Sequence, residues 1–125
     1  MDEEFLREVF ASLGDIAIKR MFGGQGIYAS GRIVALVIRG DLYLKSDEEA
    51  APLYEAAGSR AWTYMRPGRA PVTMPYYRCP EDGFDDPDAM ANWAAVADGA
   101  ARRSEAAKAG VQRRKRRPKA ALPDA

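Results

Sequence analysis

An α+β fold, with an antiparallel sheet flanked by helices in the order α-β(3-4)-α-β(2)-α, is predicted by three features of the sequence. Apolar residues recur at helical spacing near both ends, short β-rich runs punctuated by glycine turns lie between them, and a capping signal splits those runs into two groups. The chain has 125 residues, 47% of them hydrophobic, which suits one core and is too little for two. The expected division is a folded unit over residues 1–108 and a basic flexible tail over 109–125.

Phe5, Leu6, Val9, Phe10 and Leu13 share one helical face, and Gly14 can take the left-handed conformation that stops a helix, so residues 2–13 read as the first helix. Asp2, Glu3 and Glu4 suit the positive end of its dipole. The β-rich runs then cover Ile16 to Phe22, Gln25 to Ala29, Ile33 to Ile38 and Leu42 to Lys45, with turns at Ser30-Gly31 and Arg39-Gly40-Asp41. Connections this short predict an antiparallel meander. Ser46, three residues before Glu49, reads as a capping box for a second helix that Gly58 closes. Trp62 to Met65 and Val72 to Tyr77 form a hairpin around Arg66-Pro67-Gly68-Arg69, and Pro75 predicts an edge or a bulge in the second strand. Asp85 or Asp86 caps the last helix, with Pro87 in its first turn and Met90, Trp93, Ala94, Ala97 and Ala101 on its apolar face. Alanine carries helicity on towards Lys108, and order is expected to fray at Gly110.

Composition removes several function classes. The chain has no histidine and a single cysteine, Cys79, so Ser-His-Asp and Cys-His nucleophile systems and ordinary zinc sites are excluded, and no intrachain disulfide can form. The longest apolar run, Ile33 to Ile38, is far short of the roughly 20 residues that span a bilayer. The acidic start, Met1-Asp2-Glu3-Glu4, is unlike a secretory signal, so a cytoplasmic location is expected. No cofactor and no membrane partner are implied.

The stretch "RMFGGQGIY" at residues 20–28 raises the one question of a phosphate loop. A Walker loop needs Gly-Lys-Ser/Thr opening a helix, and a dinucleotide fingerprint needs a third glycine where Ala29 stands, so both fail. The structural reading is a bulge or a close backbone approach. Glu81-Asp82 and Asp85 to Asp88 lack the alternating spacing of a calcium loop and read as helix caps.

These motifs resemble the N-terminal domain of the TfoX/Sxy family. "RMFGGQGIY", "VALVIRGDLYLKSDEE", "AAGSRAWTYM" and "MPYYRCPED", followed by a Trp-containing helix, stand in that family's order from about Phe5 to about Ala97. The resemblance implies a compact α+β unit and a regulatory role, since the founding members are bacterial regulators of competence for DNA uptake that act alongside the cyclic-AMP receptor protein. It brings no catalytic residues. It marks Arg20, Met21, Phe22, Gly23, Gly24, Gly26, Leu42, Tyr43, Leu44 and Lys45 as structural signature positions. A transcription factor or other protein is the implied partner.

Charge supplies the other candidate. Residues 1–100 hold 10 Lys and Arg against 16 Asp and Glu, whereas residues 101–125 hold 9 against 2. An acidic body therefore precedes a basic end, in which Arg113, Arg114, Lys115, Arg116, Arg117 and Lys119 are the candidate nucleic-acid contacts, to DNA or RNA. Such a run follows phosphates without reading bases, or else serves solubility alone. Two readings from other classes stand beside it: an enzyme or small-molecule binder with a pocket at Gly23 to Gly26 that uses carboxylates, tyrosine or Lys45, and a pure protein-interaction module. Trp62, Tyr64 and Arg66 share one strand face, so an aromatic row is a candidate partner surface.

Overall fold

A computed structural model of the chain describes residues 1–21 and 23–116, with side chains as far as residue 111. Phe22, Arg117 and Lys119 lie outside the described residues, as do the side chains of Arg113, Arg114, Lys115 and Arg116.

The chain opens with α1 (Glu3–Val9), whose first turn is capped by the Asp2 carboxylate accepting from the Phe5 amide at 3.3 Å. A separate 3-10 turn, Ala11–Leu13, follows and ends at Gly14 with φ 81°. Four strands then form the expected meander: β1 (Ile16–Met21), β2 (Gly24–Ala29), β3 (Arg32–Ile38) and β4 (Asp41–Lys45). After α2 (Ala51–Ala56) come β5 (Ala61–Tyr64) and β6 (Val72–Arg78), then a short α3 (Asp82–Asp85) and the long α4 (Pro87–Arg116).

All six strands share one antiparallel sheet in the order β1-β2-β3-β4-β6-β5. The order of the last two follows from strand direction. A β5 beside β4 would run parallel to it, so α2 carries the chain past a gap that β6 fills by pairing antiparallel with both. Pro75 thus stands in an interior strand, and of the two expectations it is the bulge that is met. Between the pairs Ala61↔Tyr77 and Thr63↔Thr73, two steps along β5 match four along β6. The Pro75 carbonyl accepts from the Ser46 amide at 2.8 Å.

That bond also relocates the cap of α2. With its amide drawn into the sheet and its side chain buried, Ser46 extends β4. Asp47 instead caps the turn that leads into α2, its Oδ1 accepting from Glu49 N at 3.1 Å and Ala50 N at 2.8 Å. Gly58 ends the helix at φ 81°, as expected. Asp86 caps α4 by accepting from the Asp88 amide at 2.9 Å.

The helices pack on one face of the sheet around a single core. Leu6 and Val9 of α1 with Phe10 just after it, Tyr54 of α2 and Met90, Ala94, Ala97, Ala100 and Ala101 of α4 meet Ile27, Val37, Leu42 and Leu44 of the sheet. The small alanines let α4 lie close against β3 and β4. Tyr54, fully buried, is stacked between Tyr77 at 5.3 Å and Trp93 at 5.5 Å, and its hydroxyl donates to the Lys45 carbonyl at 2.9 Å. No helix among the described residues is long and apolar enough to cross a membrane. Through Gly110 the α4 backbone continues to Arg116. Alanine-rich turns outweigh the cost of about 1 kcal/mol that each of Gly99 and Gly110 adds.

Candidate functional site

The glycine stretch is a packing device. Gly23 takes φ 72° in the turn between β1 and β2. At Gly24 an added Cβ would stand 1.9 Å from the Val37 carbonyl oxygen, so only glycine lets β3 come this close. Gly26 lies beneath Met21 and Tyr28, whose side chains converge where its Cβ would be. An open cleft of about 740 Å³ borders the stretch, with Arg20 and Arg39 on it. Asp2 and Glu3 line the same cleft and oppose a bound anion. The arrangement has the shape of neither phosphate loop.

The signature residues of β4 divide by the two-residue period of a strand. Leu42 and Leu44 enter the core, while Tyr43 and Lys45 point to the face of the sheet that no helix covers. There the Lys45 ammonium lies 4.9 Å from the centre of the Tyr76 ring. Burial, and then the charge of Lys108 on α4, hold the Lys45 pKa below its ordinary value. Burial pushes Tyr76 up to about 12.

Across the same face Lys19 sits 4.7 Å from the Tyr28 ring centre. Tyr43 packs against Trp62 at 6.1 Å, and Trp62 meets Tyr64 edge-on at 6.3 Å. The aromatic row read from the hairpin is therefore extended by tyrosines of β2, β4 and β6. Their common face could be found only after strand order and helix placement were known. Arg20, by contrast, pairs with Gln25 at the far end of β1, apart from Tyr43 and Lys45.

The nucleophile candidates are poorly set for chemistry. Cys79 is buried, its thiol is pushed up to about 12 by desolvation, and its Sγ faces the Met90 sulfur at 3.9 Å. Among the described residues no three carboxylates or thiols are grouped to hold a metal ion. Of the basic run, positions 113–116 lie on the α4 backbone.

The family model of the TfoX N-terminal domain matches residues 8–101. Protein Sxy of Escherichia coli (strain K12) is 36% identical over 76 residues, an overlap of 60% of this chain and 35% of that relative. This chain belongs to the TfoX/Sxy family, of which it carries the TfoX N-terminal domain.

Proposed function

We propose that the chain is a cytoplasmic, non-enzymatic regulatory protein of the competence-regulator type, which works by binding and is drawn to nucleic acid by the basic run Arg113, Arg114, Lys115, Arg116, Arg117 and Lys119. The family supports the regulatory part of this reading. The observation that carries the nucleic-acid part is the continuity of α4. The helix is anchored in the core by Ala94, Ala97 and Ala101 and runs on through Lys108 to Arg116. Along the sequence the acidic body is thus followed by a cationic end, a charge order suited to a polyanion.

The contact is to phosphates and is independent of sequence. Five cations engaged at once on duplex DNA would give a slope of log affinity against log salt of about −4 to −5. The test is duplex retention over a salt series for the full chain and for a full-length variant with residues 113–117 changed to Gln. The variant should lose the salt-dependent binding and keep its thermal midpoint. Equal retention by both proteins would dismiss the basic run as the contact.

A further inference from the structure

We infer that the helix-free face of the sheet is a platform for single-stranded nucleic acid, on which unpaired bases stack against Tyr28, Tyr43, Trp62 and Tyr64 while Lys19 and Lys45 meet the phosphates. This goes beyond the duplex contact proposed for the end of α4, and it rests on different residues.

Strand alternation fixes the face. Leu42, Leu44 and Tyr77 point into the helix-covered core, so Tyr43, Lys45 and Tyr76 point away from it. Ala61 pairs with Tyr77, so Trp62 falls on the outer side, where it meets Tyr43. Tyr64 is half exposed at the edge strand. Under the rings lies an apolar floor: Leu36, 4% exposed, is on this face because it pairs with Gly26 and Tyr43.

Charge complementarity points to the occupant. Residues 1–100 carry a net charge of −6 (10 Lys and Arg, 16 Asp and Glu), yet along the strands of this face the acidic position is Asp41, which Arg78 holds at 3.1 Å. Among the described residues neither Lys19 nor Lys45 forms a salt bridge, although the charge of Asp47 reaches Lys45, and both ammoniums rest on tyrosine rings. Lys19 is exposed and weakly held on its ring, whereas Lys45 is half-buried and lacks a full shell of water around its charge. A base can take the place of an ammonium on the ring, and the freed ammonium then finds the adjoining phosphate. Lys19 and Lys45 stand three strands apart, roughly 14 Å by strand spacing, a span of a few nucleotides rather than one. A duplex hides its ring faces, and an acidic peptide would use the lysines but leave the rings idle. The single strand uses both.

The experiment measures a labelled 12-nucleotide oligo(dT) and a 12-base-pair duplex against the full chain, with Trp62 fluorescence read in a Trp93→Phe background. Oligo(dT) should quench Trp62. The double variant Trp62→Ala/Tyr64→Ala, and separately Lys19→Gln/Lys45→Gln, should each bind oligo(dT) at least ten-fold more weakly and the duplex less than two-fold more weakly. Should the aromatic variant not fold, the lysine variant decides. No quenching, equal loss on both probes, or competition by polyglutamate as strong as by oligo(dT) would overturn the inference. So would loss of oligo(dT) binding when only residues 113–117 are neutralised. Loss of duplex binding alone in that variant supports it.

Discussion

Arg103 on α4 grips Asp47 in a two-pronged contact, Nε donating to Oδ2 at 2.6 Å and Nη2 to Oδ1 at 3.1 Å, and so ties the middle of α4 to the residue that caps the turn before α2. Glu49 adds a second carboxylate at 2.7 Å from the same Nε. The hydrogen bond from Arg103 is the main reason that the Asp47 pKa lies below its ordinary 3.8. A depressed carboxylate stabilises the fold fully at pH values above 3.8 and loses that contribution as pH falls through the lower native value. Arg103→Ala should therefore cost about 0.5–1 kcal/mol at pH 7, a modest figure because the pair is partly exposed and screened. The thermal midpoint should drop by roughly 4 °C per kcal/mol, and the gap from wild type should narrow as the pH falls from 3.8 through the lower native value.

Asp47 also shows where local signals stop deciding. Ser46 and Asp47 are both good caps, and which one acts depends on the Pro75 carbonyl, a partner 29 positions away, claiming the Ser46 amide.

The three glycines of the signature should separate by mechanism. Gly24→Ala places a methyl against the Val37 carbonyl, and β2 and β3 cannot part without breaking their ladder, so a loss of about 3 kcal/mol is expected. Gly23→Ala meets no neighbour and pays only for positive φ, about 1 kcal/mol. Gly26→Ala presses on the flexible end of Met21 and should cost less than Gly24→Ala. Denaturant unfolding of the three variants gives the ranking. A Gly24→Ala protein as stable as wild type would remove the close-approach account.

Much of the architecture was legible because it is local: the meander of β1 to β4 follows from turns at Ser30-Gly31 and Gly40, and the α4 face from the spacing of Met90, Ala94, Ala97 and Ala101. What could not be read were relations between distant segments. The insertion of β6 between β4 and β5 depends on strand direction across the α2 crossover. The four-residue α3 is too short to show a period. The glycines announced a close approach, while its partner, Val37, is known only from the register of β2 and β3. Tyr43, Tyr76 and Trp62 were visible as aromatics, yet their shared face exists only because the helices gather on the other one.

Removing the Tyr54 hydroxyl tests the junction of core and sheet. Tyr54→Phe keeps the stack with Tyr77 and Trp93 but leaves the Lys45 carbonyl without its 2.9 Å donor. A loss of about 1–2 kcal/mol is expected in chemical denaturation, with no change in oligo(dT) or duplex binding.

Alkaline unfolding should expose the buried acids. Desolvation raises Cys79 from 9.0 to about 12 and Tyr76 from 10.0 to about 12. Tyr54 is raised as well, by the same cause. For an acid with a raised native pKa the folded state holds its proton more tightly, so the stabilisation is intact below the unfolded value and is lost as pH climbs towards the native one. Stability should therefore be flat from neutrality to about pH 9 and fall steeply between 9 and 12. Cys79→Ala should flatten the first part of that fall, since the thiol is the first of the three to ionise in the unfolded chain. In the native protein at pH 8 a thiol reagent should find no reactive group, because Cys79 is 4% exposed, and one equivalent should appear only in denaturant. Labelling of the folded chain at the rate of a free thiol would show that Cys79 is not held in the core as described.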